Sequence, residues 1–205
     1  MIFWCSLKLI TTMKLALFGY GGHAREVATQ MNKEITFFVD DRYANEVSKP
    51  ISAFDPVVYQ MMVAVADSKE REKIVQKLPK NTSYFTFVHP TALLMSDNIE
   101  IGVGSFIGAY SILTTNITIG NHAILNRGNQ IGHDTKIGDF FSAMPGSIVS
   151  GNVVIGTNVY INNNSSIREK ITVSSNAIIG ANAAVVGNII TGGTYVGVPA
   201  KFKKK

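Results

Sequence analysis

Apolar side chains recur at a fixed interval of six residues along most of the second half of this chain. Met95, Ile101, Ile107, Leu113, Ile119, Leu125, Ile131, Ile137, Ala143, Val149, Ile155, Ile161, Ile167, Val173, Ile179, Val185 and Thr191 follow one another without insertion, and all but Thr191 are apolar. Glycine follows the repeated residue at 102, 108, 120, 132, 138, 156 and 180, and small or β-branched residues such as Ser105, Ala123, Val153 and Ala177 stand two places before it. An amphipathic helix requires apolar residues every three or four positions, and a half-buried strand every two. A strict period of six predicts a β-solenoid, in which short strands wrap a narrow core and each rung stacks on the last. One aliphatic residue per side points inward, and Gly and Asn serve the corners, where φ can be positive.

The first half has a different rhythm. Residues 14–22 read as a buried strand, KLALFGY, breaking into a glycine turn at Gly19, Gly21 and Gly22. A helix is expected over His23–Met31 and a second strand over 35–39, ending at Asp40 and Asp41. Residues 42–60, with Pro50 and Pro56, read as loop. A third strand is expected over 61–66, then a helix over 69–78 capped by Ser68, then a fourth strand over 84–88. His89-Pro90 punctuates the passage into the repeats. The expected division is an extension at 1–12, an α/β domain at 13–90 and a solenoid with its tail at 91–205.

Composition adds limits. The chain has 205 residues and 46% hydrophobic content, which suits one large or two small domains. The single cysteine, Cys5, excludes an intramolecular disulfide and fits a reducing, cytoplasmic setting. No apolar run is long enough to cross a bilayer. The net charge of +5 owes much to Lys201, Lys203, Lys204 and Lys205, and no basic stripe with interleaved aromatics argues for nucleic acid. Residues 92–198 hold only nine charged side chains. So little charge on a thin solenoid implies faces covered by further copies of the chain.

The candidate chemistry centres on two places. A glycine turn at a helix N-terminus exposes N–H groups to a phosphate, and an acidic residue about twenty positions later suits a ribose or base. The full G-x-G-x-x-G is absent from GYGGHARE. In the solenoid, His133 lies in LNRGNQIGHDTKIGDF beside Asp134. One eighteen-residue coil later stands Gly151, so a residue without a side chain is expected over the imidazole. A catalytic histidine and a plain surface corner both fit this pattern. His122 and His133 are out of register with each other, which argues against a zinc site of three histidines.

The repeats resemble the left-handed parallel β-helix of hexapeptide-repeat acyltransferases, with three hexads per coil. Over residues 14–201 the order of GYGGHAREV, FFVDD, VAVADSKEREKI, FVHPTALL, NRGNQIGHD, PGSIVSGNVVIG and VGVPAK is similar to PglD/NeuD-like nucleotide-sugar N-acetyltransferases. These acetylate the 4-amino group of a UDP- or TDP-linked amino-deoxyhexose and are close to sialic acid O-acetyltransferase-like proteins. The resemblance implies a small Rossmann-like βαβαβ domain followed by a left-handed β-helix, acetyl-CoA as co-substrate, no metal, and a homotrimer. It implies His133 as general base with Asp134 as its partner, which requires the chain to bend at that point. It also implies the Gly151 amide facing the thioester carbonyl. Gly21, Gly22, His23, Asp40, Asp41 and Ala66 match nucleotide-binding positions, and Asn126 a sugar contact. Ser142, Asn163, Ala181 and Pro199 match positions along the CoA, with Ser142 replacing the histidine usual there. O-acetylation of a sugar or sialic acid, and a non-catalytic sugar-nucleotide-binding solenoid, are the competing readings.

Overall fold

The computed structural model describes residues 13–204; the extension expected at 1–12 lies outside the described residues, as does Lys205. Four parallel strands open the chain: β1 (Lys14–Phe18), β2 (Thr36–Val39), β3 (Ser48–Pro50) and β4 (Tyr59–Val63), in spatial order β3-β2-β1-β4. Helix α1 (Gly22–Met31) links β1 to β2, and α2 (Ser68–Lys77) follows β4. β3 falls in the stretch expected to be loop. It pairs on one side only, with β2, and such an edge tolerates Pro50. Asp67, not Ser68, is the N-cap of α2, its carboxylate accepting the Glu70 N–H at 2.8 Å.

The two faces of this sheet do different work. One face, with Phe18, Phe38, Met61 and Val63, packs under Phe54, Tyr59 and the Ile74–Val75–Leu78 side of α2. The other buries Leu17, Met62 and Ala64 with Ala24, Val27 and Met31 of α1, and this cluster continues into Phe106, Ile124 and Met144 of the repeats. The α/β part thus closes over one side of the solenoid, and the chain itself covers part of the apolar surface that its low charge density exposes.

The repeats form a three-sided left-handed parallel β-helix. Its first face stacks Phe87–Val88, Phe106–Ile107, Ile124–Leu125, Ser142–Ala143, Tyr160–Ile161, Ala177–Ile179 and Gly193–Val196, topped by the antiparallel Lys201–Phe202. The second face runs from Leu93–Leu94 to Ala184–Val185, and the third from Ile99–Ile101 to Thr172–Val173. The repeated aliphatics from Ile107 to Val185 are buried, forming a continuous column. Every sixth residue from Gly104 to Asn182 has positive φ, and the corner position accepts Tyr110, His122, Asp134, Phe140 and Lys170 as well as Gly and Asn. The glycines after the inward residue have another reason to be there. A Cβ on Gly132 would lie 2.5 Å from the Gly151 nitrogen of the next rung, so close stacking rather than positive φ excludes a side chain.

The period fails at both ends, where the sequence placed Met95 and Thr191 in the core. Val88 pairs with Ile107 and Leu94 with Leu113, giving the first coil one extra residue and leaving Met95 61% exposed. At the other end Ile189 bridges Val173 and Tyr195 pairs with Ile179, two residues short of a full coil, so Ile189 fills the core and Thr191 is exposed. The strand expected over 84–88 is split. Tyr84 bridges Met61, whereas Phe87 already stacks in the solenoid against Phe106, ring centroids 5.8 Å apart. Stacking on a rung continues only while its backbone partners exist, so end coils adjust their length to cap the column. Among the described residues no helix is long and apolar enough to cross a membrane.

Candidate active site

Each edge of the prism carries a distinct set of residues. Between the second and third faces, His133 and Gly151 occupy the same corner on successive rungs. A Cβ on Gly151 would lie 2.5 Å from His133 Nε2, so the imidazole rests against the bare Gly151 backbone as the eighteen-residue register requires. Asp134 has φ +58, and this left-handed turn folds its side chain back beside its neighbour's. Asp134 Oδ2 is 2.7 Å from His133 Nδ1, and its Oδ1 accepts Asn116 Nδ2 at 2.6 Å from the rung below. Those hydrogen bonds, Asn116's first and His133's second, hold the Asp134 carboxyl below its ordinary pKa. A carboxylate at Nδ1 keeps the proton there and leaves Nε2 as the acceptor. The Gly151 N–H donates to no acceptor among the described residues. The exposed imidazole thus lies against the backbone of Gly151, which is itself buried and whose N–H has no acceptor among the described residues. Asn116 was not singled out in the sequence, although stepping back one coil from Asp134 reaches it.

The glycine turn lies at the carboxyl ends of β1 and β2. A cavity of about 340 Å³ there is lined by Gly19, Tyr20, Gly21, Asp40, Tyr43 and Asn45. Gly21 and Gly22 are exposed at the N-terminus of α1. The Asp40 carboxylate forms no hydrogen bond among the described residues, whereas Asp41 accepts the Ser52 N–H at 3.0 Å, which lowers its pKa and commits it to the loop. His23 Nε2 is buried without a partner among the described residues. Burial, then the nearby Arg71 charge, push the His23 pKa down to about 4, so the ring is neutral.

Arg71 on α2 is fully buried and joins the two halves of the chain. Its guanidinium donates to the carbonyls of Val65, Ala66, His122, Phe140 and Phe141 and to Ser142 Oγ, at 2.6 to 3.1 Å. This knot also takes in Ser142, the position expected along the CoA. Ser142 has no exposed surface, and its hydroxyl donates to Ala66 O at 2.7 Å inside the junction. The Ala66 carbonyl accepts from both Arg71 and Ser142.

The edge between the first and second faces carries Asn126, Asn163 and Ala181, with Pro199 in the turn above. Asn163, Ala181 and Pro199 are exposed, and the Asn182 N–H donates to Asn163 O, stacking those rungs. Asn126 is 2% exposed, its Oδ1 accepting the Arg127 N–H at 2.7 Å and its Nδ2 turned to Glu26. Within one chain the whole second face separates this edge from His133 and Gly151. Helix α1, which starts at the glycine turn, contacts the first edge through Glu26 and Gln30; the histidine corner stands apart.

Known proteins share this fold. Residues 14–78 match the PglD N-terminal domain family. The GDP-perosamine N-acetyltransferase of Escherichia coli O157:H7 is 28% identical over 160 residues, 68% of this chain and 71% of that protein. The acetyltransferase domain of PglB from Neisseria gonorrhoeae FA1090 is 29% identical, with a TM-score of 0.85 over 94% of this chain and 100% of that one, and has also been solved in complex with acetyl coenzyme A. PerB from Caulobacter crescentus, in complex with CoA and GDP-perosamine, has the same fold at 24% identity, with a TM-score of 0.83 over 93% of this chain and 97% of that one. Matched in sequence through its α/β part and in fold along nearly its whole length, the chain is similar to the PglD-like sugar N-acetyltransferases.

Proposed function

We propose that this protein transfers the acetyl group of acetyl-CoA to the 4-amino group of a nucleotide-linked amino-deoxyhexose by direct attack on the thioester. The observation that carries this reading is the contact between His133 Nε2 and Gly151, backed by Asp134 and Asn116. His133 Nε2 accepts the proton that the amine sheds as its nitrogen bonds to the acetyl carbon. The carbon–sulfur bond breaks with its electron pair on sulfur, and the proton taken up by His133 passes to that sulfur, so that CoA leaves as the thiol and the imidazole is free again. The free Gly151 N–H is suited to the carbonyl oxygen, where negative charge develops. General-base help of this kind is worth about 10² to 10⁴ in rate. Cys5, the only cysteine, lies outside both motifs in the sequence, and no acyl-enzyme is invoked.

In this reading the α1 N-terminus with Gly21, Gly22 and His23 binds the diphosphate, and Asp40 the nucleoside. Asn126 contacts the sugar, and acetyl-CoA lies along Asn163, Ala181 and Pro199. Since that edge and the His133 corner lie apart in one chain, the working site joins the edges of two neighbouring copies, and a ring of three completes each pair. Exposed Leu93 and Ile148 on the intervening second face suit such an interface. The resemblance in sequence favours uridine or thymidine as the base, whereas the perosamine relatives are named for guanosine sugars.

The test offers acetyl-CoA with UDP-, TDP- and GDP-linked 4-amino sugars, their 4-hydroxyl counterparts and free sialic acid, following thiol release while light scattering reports mass. Thiol release with a nucleotide-linked amine by a trimer is expected. Release only with hydroxyl acceptors would overturn the amine assignment, and a fully active monomer would overturn the shared site.

A further inference from the structure

Helix α1 is fastened to the prism by two side chains one turn apart. Gln30 Oε1 accepts the Ala109 N–H at 2.9 Å, and Glu26 Oε1 is ion-paired with Arg127 Nη1. Ala109 and Arg127 stand one coil apart on the edge between the first and second faces. Four helical residues rise about 6 Å and one rung about 4.8 Å, so the two contacts set α1 nearly along the prism axis. Its N-terminal turn, with Gly22 and His23, points up the edge toward Asn163 and Ala181.

Glu26 also touches Asn126. Its Oε2 faces Asn126 Nδ2 at 3.4 Å, while Asn126 Oδ1 is held by the Arg127 N–H. The amide is thereby oriented with its oxygen toward the backbone and its nitrogen toward Glu26, leaving one N–H to donate elsewhere. We infer that Glu26 and Arg127 are positioning residues for the acceptor: the carboxylate sets the α1 N-terminal turn, the Asn126 amide and the edge of the prism in one fixed relation. The inference rests on the acceptor reading above and adds two residues that lie within the quoted motifs GYGGHAREV and NRGNQIGHD but were given no role there.

An ion pair this exposed, with side chains 55% and 34% accessible, contributes little to global stability. Its effect belongs in kinetics. Glu26→Ala, Glu26→Gln and the swap Glu26→Arg with Arg127→Glu are compared in the full chain by steady-state kinetics, thermal melting and hydrogen exchange of the α1 amides. Glu26→Ala is expected to raise KM for the sugar nucleotide about tenfold, the usual scale for one hydrogen bond to a charged group, without moving KM for acetyl-CoA or Tm. Its first-turn α1 amides exchange faster. Glu26→Gln falls between, because it keeps an acceptor for Asn126 but loses the charge. The swap restores α1 protection and leaves KM raised, because an arginine at position 26 cannot accept from Asn126. Wild-type KM in Glu26→Ala, or an equal rise for both substrates, overturns the inference. Should the wild type release no thiol with any nucleotide-linked amine, the acceptor reading fails. In that case unchanged α1 exchange in Glu26→Ala still overturns the positioning role.

Discussion

Gly151→Ala isolates the histidine–backbone contact, because it adds one methyl group and removes nothing. Gly151 does not have positive φ, so alanine fits its backbone without strain. The added Cβ would stand 2.5 Å from His133 Nε2, 2.7 Å from Cε1 and 2.9 Å from Cδ2. Against an ordinary contact of at least 3.4 Å, the ring nitrogen must retreat by 0.9 Å. His133 is exposed and can swing outward, so folding stability should scarcely change. The displacement stretches the 2.7 Å contact to Asp134 and moves Nε2 off the acceptor amine. A misplacement of about 1 Å at a reacting group costs about 10²-fold in rate, and complete loss of the base in His133→Ala about 10² to 10⁴. Thiol release at saturating acetyl-CoA and sugar nucleotide, beside a melting curve, gives the comparison. The expected outcome is kcat down about a hundredfold with Tm and both KM values nearly unchanged. Full turnover in Gly151→Ala, or in His133→Ala, would refute the assignment of this corner as the reacting site.

Three further outcomes are expected. Asp40→Ala should raise KM for the sugar nucleotide and leave KM for acetyl-CoA alone, whereas Asp41→Ala should mainly lower Tm by freeing the Ser52 amide; equal effects on both substrates would place the nucleoside elsewhere. Stability should fall on mild acidification, because burial, then Arg71, push His23 and His122 from 6.5 to about 4, with Asp139 partly opposing the shift at His122. The folded chain keeps both rings neutral while the unfolded chain protonates near 6.5. Stability is therefore complete above that pH, is lost down to about pH 4 with a slope approaching two protons, and loses no more from these groups below it. The lowered carboxyls of Asp41 and Asp134 act only under their ordinary value of 3.8. A melting temperature constant from pH 6.5 to 4 would contradict the burial of the two imidazoles.

The sequence alone determined the repeating column and, with it, the meeting of His133 and Gly151, because parallel rungs of constant length turn an eighteen-residue offset into spatial contact. The same arithmetic reaches Asn116 under Asp134. Where rung length changes, the arithmetic fails, as Met95 and Thr191 demonstrate: a terminal coil is fitted to what caps it and not to the period. The condition on Asp134, that the chain bend there, was legible as a requirement; only the backbone shows that it is met. The burial of Ser142 was not legible, because Arg71, seventy-one positions earlier in numbering, fills the space beside it. Glu26 and Arg127 were silent in the sequence for the same reason. The packing of one helix against one prism edge depends on side chains a hundred and one residues apart, and no local period carries that information.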